Sequence, residues 1–418
     1  MPQITGTPGN DLLLGTTGND TIDGLEGDDK LFGGASEDTL NGGDGGDLLD
    51  GGEGRDIMSG GAGNDFYYVN YTDSVRELST EGYDTVFLLD WINVQYDLPT
   101  NVERLISLSS SVVRLYGNDL ANEIIGSDSD NVLYGGIDNQ VDTLAGRGGD
   151  DVYFNFGNGP LDLVLEEVNG GFDHVITRNS DYRLPDNVEM LTGYNGDLTG
   201  NSLDNVIYGG ADTVEVIDGG AGADKMTGYT GSDVYLVDNA GDQVIEAANG
   251  GYDTVFVDGI DYTLPDNVER GAATYANGLS AFNLTGNSLN NELSGNDGAN
   301  WLDGKLGRDI LTGYGGADTF AFTTKVDGDN ADLFVGFEVG IDKIALDDAV
   351  FTQLTAGALP DSVFHIGREA ADADDRILYE ASTGNLFYDP DGTGPLASQY
   401  FASMHEGLNL SASDFIVI

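Results

Sequence analysis

A nonapeptide repeats without interruption near the start of this chain of 418 residues. From residue 6 to residue 68 it occurs seven times, as GTPGNDLLL, GTTGNDTID, GLEGDDKLF, GGASEDTLN, GGDGGDLLD, GGEGRDIMS and GGAGNDFYY. Position six is aspartate in every unit, and position eight is always a large apolar residue. Because a fixed short period marks stacked, equivalent units, the sequence predicts a solenoid rather than a flexible Gly/Asp linker.

The spacing within one unit predicts a short strand followed by a tight turn. Side chains alternate along a strand over positions seven to nine, so position eight would point into the core. Glycines at positions one, two and four allow the positive φ that a tight turn needs. Two units would make one coil of a flattened all-β solenoid. Aspartates eighteen residues apart, such as Asp20 and Asp38, would then stack on the same edge.

Stacked aspartates next to turn carbonyls predict a cation site, because a hard cation such as calcium prefers oxygen ligands. The chain has 73 acidic and 16 basic residues, a net charge of −57, so the stacked carboxylates would repel one another without a cation. Calcium would therefore stabilise only the folded form. We expect an unfolded chain at cytosolic calcium and a folded chain outside the cell. The same charge excludes nucleic-acid binding through a basic face and disfavours anionic membranes.

The nonapeptide returns in later blocks, in intact and in degenerate form. Each block closes with Asp and an aromatic-rich strand, and the closing aspartates recur about every 85 residues. Units with Asn at position six, such as those of Asn122, Asn205 and Asn291, are predicted to be coils without calcium, because Asn cannot supply the charge. The predicted metal ligands are the position-six aspartates of the intact units: Asp11, Asp20, Asp29, Asp38, Asp47, Asp56, Asp65, Asp151, Asp224, Asp233, Asp309 and Asp318.

A second, longer motif recurs three times between the closures. It begins with Asp-x-Val-x-Glu at Asp73, Asp162 and Asp242, and it continues with Gly, an aromatic residue and Asp-x-Val. Its later part reads Tyr-x-Leu-Pro-x-Asn-Val-Glu. The alternation predicts strands with one buried face. The recurrent glutamates could suggest catalytic acids, but structural repetition is the preferred interpretation, because active sites are few in one protein. These glutamates are Glu103, Glu189 and Glu269.

Composition divides the chain into three predicted domains. Residues 1–68 form an N-terminal roll of seven nonapeptides, and residues 69–322 hold three long repeats of roughly 80–90 residues. Glycine becomes rarer after Phe322, and residues 323–418 form a β-rich C-terminal domain. A Ser-Thr-Gly-Asn turn between residues 376–380 and 386–388 predicts a β-hairpin there.

These nonapeptides make the chain similar to the RTX, or haemolysin-type, calcium-binding proteins. Its last hundred residues resemble the C-terminal domain that serralysin-type proteases share with other type I secretion substrates. The resemblance implies a right-handed parallel β-roll, or β-helix solenoid, with a C-terminal β-rich cap. It also implies calcium as cofactor and export by the bacterial type I secretion machinery to the outside or surface of the cell. The sequence contains neither a Sec-type signal nor an apolar stretch long enough for a membrane span, so we expect no membrane insertion.

The predicted function is that of a secreted calcium-binding structural protein, which self-associates into an extracellular matrix, a surface layer or a filament. We expect no enzymatic activity, because the repeats occupy the chain and the motifs HExxH and G-x-S-x-G are absent. Two alternatives are open. One is an adhesin or glycan-binding module, whose tyrosine-rich strands would stack on sugars. The other is a polysaccharide-modifying enzyme or its accessory module, since pairs of carboxylates are abundant.

Overall fold

The structure is a computed structural model that describes residues 2–79, 81–89, 94–156, 160–178, 181–274 and 280–418. The chain divides into two compact units, Met1–Tyr194 with Gly200–Asn205, and Asn195–Thr199 with Val206–Ile418. Each unit is a β-solenoid of mostly parallel strands, which confirms the predicted all-β parallel solenoid. Short 3₁₀ helices span Asp361–Val363 and Ala412–Asp414. Among the described residues, no helix has the length and apolarity to cross a membrane.

The strands of the first unit are short and follow one another closely along the chain. In chain order they are β1 Gln3–Thr5, β2 Leu12–Leu14, β3 Thr21–Glu26, β4 Lys30–Ala35, β5 Thr39–Asp44, β6 Leu48–Glu53, β7 Ile57–Ala62, β8 Phe66–Val69, β9 Ser74–Val75, β10 Thr85–Leu88, β11 Val94–Asp97, β12 Arg104–Ser107, β13 Val113–Tyr116, β14 Glu123–Ile125, β15 Asn131–Tyr134, β16 Thr143–Ala145, β17 Val152–Asn155, β18 Leu163–Leu165, β19 His174–Thr177, β20 Tyr182–Arg183 and β21 Met190–Gly193.

Strands two apart along the chain pair in parallel in the first unit, so each coil adds one strand to each of two facing sheets. The orders are β1-β3-β5-β7-β9, β18-β16-β14-β12-β10-β8-β6-β4-β2 and β11-β13-β15-β17-β19-β21. The pairing places position eight of one coil against position eight of the next. Ile22 faces Leu40, and Leu31 faces Leu49. This register follows from the nine-residue period, because two nonapeptides make one coil and paired residues are eighteen apart.

The second unit continues the same scheme in its own strands. In chain order they are β22 Leu198–Thr199, β23 Val206–Tyr208, β24 Val216–Asp218, β25 Lys225–Tyr229, β26 Val234–Val237, β27 Gln243–Glu246, β28 Thr254–Val257, β29 Tyr262–Thr263, β30 Arg270–Ala273, β31 Asn283–Thr285, β32 Glu292–Ser294, β33 Trp301–Asp303, β34 Ile310–Thr312, β35 Thr319–Phe322, β36 Asp332–Val335, β37 Lys343–Leu346, β38 Gly357–Ala358, β39 Phe364–Ile366, β40 Ile377–Glu380, β41 Asn385–Tyr388, β42 Gln399–Ser403 and β43 Phe415–Val417.

Among the strands that the structure describes in the second unit, antiparallel pairs occur only near its C-terminal end. Its sheets have the orders β23-β25-β27, β22-β24-β26-β28-β30-β32-β34-β36-β42-β41-β40-β39 and β29-β31-β33-β35-β37-β43-β38. Strands β40 and β41 pair antiparallel, which confirms the predicted hairpin, and β41–β42 and β38–β43 are antiparallel as well. The two boundaries between the three predicted domains stay predictions.

Position eight of the nonapeptides forms the core of the first unit. Ile22, Leu31, Leu40, Leu49 and Met58 are at most 1% exposed. The corresponding leucine of the first nonapeptide is half-buried, because it lies on β2, the edge strand of its sheet. One apolar side chain per unit is thus enough to line the interior of each coil.

The strands β3 to β7 are longer than the three residues that the sequence predicted. They run from position seven of one unit to position three of the next, and the pairing continues through Leu25–Gly43 and Glu26–Asp44. The reason is that the turn glycines still align with the neighbouring coil, so backbone bonds such as Gly27 N–H to Asp44 C=O, at 2.7 Å, extend the ladder.

We expect Leu49→Ala to lower the free energy of unfolding by about 2–5 kcal/mol, because it leaves a cavity between Leu31 and Tyr67 in the neighbouring coils. Denaturant unfolding in calcium-containing buffer measures this change. The matched control is Leu14→Ala, since Leu14 is 60% exposed, and it should change stability by no more than about 0.5 kcal/mol. Equal effects of the two substitutions would contradict the assignment of the core.

Candidate metal centre

Each nonapeptide aspartate is linked by one repeated hydrogen bond to the aspartate one coil further along. The amide N–H of Asp29 donates to Oδ1 of Asp47 at 2.7 Å, and that of Asp47 donates to Oδ1 of Asp65 at 2.7 Å. We call this link a rung. The same rung joins Asp11 to Asp29, Asp20 to Asp38, and Asp38 to Asp56. Aspartates eighteen residues apart therefore stack, as the sequence predicted.

The rung uses only one oxygen of each carboxylate. Asp29, Asp38, Asp47, Asp56 and Asp65 are at most 2% exposed, and Oδ2 of each is buried without a hydrogen-bond partner among the residues that the structure describes. A charged oxygen in this state is costly unless a cation is near.

The turn glycines bring carbonyl oxygens to the same place as these carboxylates. A Cβ atom at Gly33 would lie 2.5 Å from the carbonyl oxygen of Gly51 and 2.6 Å from Oδ2 of Asp38. Glycine is needed at this position because any side chain would fill the space between the two oxygens. Carboxylate and carbonyl oxygens around one space are the donor set of a hard cation, so the residues present fit calcium.

The first two units differ from the others because threonine stands at position two. The N–H and hydroxyl of Thr16 donate to Oδ2 of Asp20 at 2.5 and 2.9 Å, and Thr7 makes the same contacts with Asp11. Asp11 is also only half-buried. In these two aspartates a protein group occupies Oδ2, the oxygen that has no partner in the following five, whereas Oδ1 of Asp20 is buried without a partner among the described residues.

The later predicted ligands occupy the same kind of rung within their own blocks. All five are buried, and the amide N–H of each donates to the carboxylate of the next coil at 2.9–3.1 Å. These rungs are Asp151 to Asp173, Asp224 to Asp242, Asp233 to Asp253, Asp309 to Asp332 and Asp318 to Asp342. All twelve predicted residues thus lie at equivalent places, whereas their role as ligands stays a prediction.

Several rungs of the first and later blocks end on an acceptor carboxylate that was not among the predicted ligands. These acceptors follow the sequence pattern Asp-x-apolar, and the apolar residue is buried in the same way as position eight of a nonapeptide. Val75, Val164 and Val244 are examples. This pattern is visible in the sequence and would have identified most of them, although the intervals between coils vary. The acceptors missed are Asp73, Asp84, Asp142, Asp162, Asp173, Asp242, Asp253, Asp332 and Asp342. Glu215 was missed as a rung donor, since its N–H donates to Oδ1 of Asp233 at 3.0 Å.

Asparagine at position six satisfies its side chain with protein groups. Oδ1 of Asn291 accepts the N–H of Asn287 at 2.7 Å. Its Nδ2 donates to the carbonyl oxygens of Val268 and Glu269 in the preceding coil, at 2.9 and 3.3 Å. Asn122 makes the corresponding bonds. A neutral side chain whose oxygen has a protein partner supports the prediction of coils without calcium.

The recurrent glutamates have a structural contact in each long repeat. Oε2 of Glu103 accepts the amide N–H of Asp84 at 2.8 Å, and Glu189 and Glu269 accept those of Asp173 and Asp253 at the same distance. This equivalence favours structural repetition over catalysis.

Several rung aspartates bind protons more tightly when no cation is near. Burial, with a smaller contribution from neighbouring carboxylates, raises the pKa of Asp47 to about 6 and that of Asp65 to about 7. Burial raises the pKa of Asp151 to about 8 and that of Asp318 to about 7. The metal-free folded chain therefore binds more protons near neutral pH than the unfolded chain does.

We expect the metal-free protein to lose stability as the pH rises from about 5 to about 8. The folded pKa values are raised, so the folded state binds the extra protons and its free energy of unfolding falls when they leave. Circular dichroism in chelator across this range measures the effect as the folded fraction of the chain, which should be largest near pH 5 and lost near neutral pH. In saturating calcium the trend should reverse, because only deprotonated carboxylates bind the ion. Rising stability with pH in chelator would contradict the burial of these groups.

Comparison with known protein families places the repeat in a defined class. The family model of the RTX calcium-binding nonapeptide repeat (4 copies) matches residues 5–40, 33–67, 116–153, 199–235, 209–244 and 285–321. These ranges contain all twelve predicted aspartates. No curated protein matches the chain.

Proposed function

We propose that this chain, which carries RTX calcium-binding nonapeptide repeats, is a secreted structural protein that folds outside the cell on binding calcium. The observation that carries the proposal is the series of buried, unpartnered Oδ2 atoms in consecutive rungs from Asp29 to Asp65. Calcium, when bound, supplies the positive charge that these oxygens lack.

The chain's own groups explain why folding would depend on calcium. The amide N–H of each rung fixes one carboxylate oxygen, and the turn glycines hold the other beside a backbone carbonyl. Only the folded chain brings these oxygens together, so an ion that binds there stabilises the folded state alone. Low cytosolic calcium would keep the chain unfolded for the type I secretion machinery. Folding would follow in the calcium outside the bacterial cell or at its surface.

The second part of the proposal is self-association into a matrix, a surface layer or a filament. Strands β1 and β2 are edge strands of their sheets. Leu12 and Leu14 on β2 are 62% and 60% exposed. An open strand edge with apolar side chains is a template for pairing with another chain. Stacked coils extend readily in one dimension, which favours an ordered assembly.

We also propose that the chain is not an enzyme. The rung carboxylates accept backbone N–H groups, and Glu103, Glu189 and Glu269 do the same. Groups held in this way position the backbone rather than a substrate. Turnover of a polysaccharide by the purified chain would overturn this part of the proposal.

A calcium titration followed by circular dichroism and electron microscopy tests the proposal. We expect β-structure to appear only as calcium rises, and ordered assemblies to appear with it and to dissolve in chelator. A chain that is fully folded in chelator would contradict calcium-dependent folding. Monodisperse monomers at millimolar calcium would contradict assembly.

The variant Asp47→Asn makes the titration specific to the rungs. It keeps an acceptor for the N–H of Asp29 but removes the charge, and losing one ion should lower the free energy of unfolding in saturating calcium by about 2–3 kcal/mol. The folding midpoint should shift to higher calcium. The matched control is Asp374→Asn at an exposed position outside the nonapeptides, which should leave the midpoint unchanged.

A groove in the first unit favours glycan binding as a second function. It has a volume of about 530 Å³ and is lined by Tyr116, Tyr134, Phe154 and Phe156, with Asp97 at its side. Tyr116, Tyr134 and Phe154 lie on successive strands β13, β15 and β17, with ring centroids 5.7 and 6.4 Å apart. Half-exposed aromatic rings beside a carboxylate can stack on a sugar and accept its hydroxyl protons.

A glycan array with the calcium-loaded protein tests this second function. We expect Tyr134→Ala to lower any glycan affinity at least tenfold, because it removes the central ring of the groove. The control is Tyr252→Ala, which changes a tyrosine that is 49% exposed outside the groove. No binding by the unmodified protein, or equal binding by both variants, would contradict glycan recognition in this groove.

A further inference from the structure

Three buried clusters combine a nonapeptide aspartate with acids that lie outside the nonapeptide. In each cluster one oxygen from each of three carboxylates lies within 4.8 Å of the other two. The first cluster and the second lie in the first unit, and the third lies in the second unit. They are Asp65, Glu77 and Asp84; Asp151, Glu166 and Asp173; and Asp233, Glu246 and Asp253.

Strand pairing brings the three acids of the first cluster together. Asp65 precedes β8 and Asp84 precedes β10, and these strands pair in parallel, so the N–H of Asp65 donates to Oδ1 of Asp84 at 2.8 Å. Glu77 follows β9 and reaches back to the turn, where the N–H of Gly60 lies 3.3 Å from its Oε1. The glutamate therefore adds a third carboxylate to a rung that otherwise has two.

The clusters contain oxygens that are buried and have no partner. In the first cluster these are Oδ2 of Asp65 and Oε2 of Glu77, whose residues are 0% and 6% exposed. In the other two clusters Oδ2 of each aspartate is also buried without a partner among the described residues, and these aspartates are at most 1% exposed. The ion pairs found among the described residues do not involve any of these acids.

A tyrosine hydroxyl points into each cluster from position eight, where other units have an aliphatic side chain. Tyr153 and Tyr235 are fully buried, and their hydroxyls donate to Oε1 of Glu166 and Glu246. Tyr67 is also fully buried, and its hydroxyl accepts the N–H of Gly60 at 2.6 Å. Each tyrosine therefore lies beside the added glutamate and helps to fix the turn or the carboxylate.

The fourth block closure, at Asp318, has neither the tyrosine hydroxyl nor the added glutamate, so it can be compared with the other three. Its rung from Asp318 to Asp342 is present, but Phe320 replaces the tyrosine and Gly336 stands where the glutamate would be. Phe320 packs instead against Phe334 and Phe337, with centroids 5.0 and 5.8 Å away. The hydroxyl and the third carboxylate are thus present together or absent together, which indicates a shared role beyond closing the block.

We propose that each of the three clusters is a three-carboxylate site for a hard divalent cation, calcium, so that the turns of Asp65, Asp151 and Asp233 form a second class of site, distinct from the two-carboxylate rungs of the other nonapeptides. Three carboxylates with orphaned oxygens supply more negative charge than a two-carboxylate rung, and hard oxygen donors select calcium over softer metals. The buried tyrosine is a positioning residue that holds the glutamate or the turn. This inference rests on the proposed calcium binding of the chain.

The experiment counts calcium ions per folded chain by native mass spectrometry, with equilibrium dialysis as a second measurement. We expect the isosteric variant E77Q/E166Q/E246Q to bind three ions fewer than the unmodified protein. The matched control E167Q/E369Q/E406Q removes the same charge at exposed positions and should bind the full number. Terbium luminescence excited through tyrosine gives an independent signal, because Tyr67, Tyr153 and Tyr235 adjoin the clusters, and it should fall in the triple variant alone.

Each outcome separates this inference from the proposed function. An equal ion count in the triple variant and the unmodified protein would overturn the three-carboxylate sites and leave the nonapeptide sites intact. No calcium on the unmodified protein would instead overturn the proposed function. If circular dichroism shows that the triple variant does not fold, the single variants E77Q, E166Q and E246Q replace it. Each should then lose one ion, and an unchanged count in all three would overturn the inference.

Discussion

The burial of stacked carboxylates at the turns is the constraint on which the rest of the structure depends. The rung from Asp47 to Asp65 satisfies one oxygen with a backbone N–H, and the second oxygen is left beside a glycine and a carbonyl. Such an array is unfavourable for an anion without a counter-charge, and it repeats from Asp29 to Asp65. Each coil buries few apolar side chains, so the stability of the solenoid depends on whether these carboxylate oxygens have a positively charged partner.

The polar side chain at position six of the turn is satisfied by different groups in different coils. At Asn291 the side-chain oxygen accepts the N–H of Asn287, and the amide donates to two carbonyls of the preceding coil. At Asp20 the N–H and hydroxyl of Thr16 donate to Oδ2, and Oδ1 is the oxygen without a partner among the described residues. At Asp38 it is Oδ2 that has no such partner. The chain therefore combines coils whose side chain is satisfied by protein groups with coils that hold an orphaned carboxylate oxygen, and the proposed dependence on calcium would lie in the latter.

The ends of the long repeats add another arrangement of the same turn. Where Glu246 joins the rung, Tyr235 reaches it with a hydroxyl, and where Gly336 stands instead, Phe320 fills the interior with a ring stack. A core position and a turn position thus change together, because the side chain at position eight extends far enough to touch the carboxylates. Core packing and site chemistry are coupled at these closures, whereas in the aliphatic units they are independent.

The nonapeptide alone determines the all-β solenoid, the inward position of Leu31 or Leu49, and the stacking of Asp29 on Asp47. These features follow from side-chain alternation and glycine turns within a few residues, which are local properties. Only the tertiary structure decides that Asp142 and Glu215 join the rungs and that Glu77 meets Asp65. The reason is that the coils outside the first block differ in length, so contact depends on which coils stack rather than on separation along the chain.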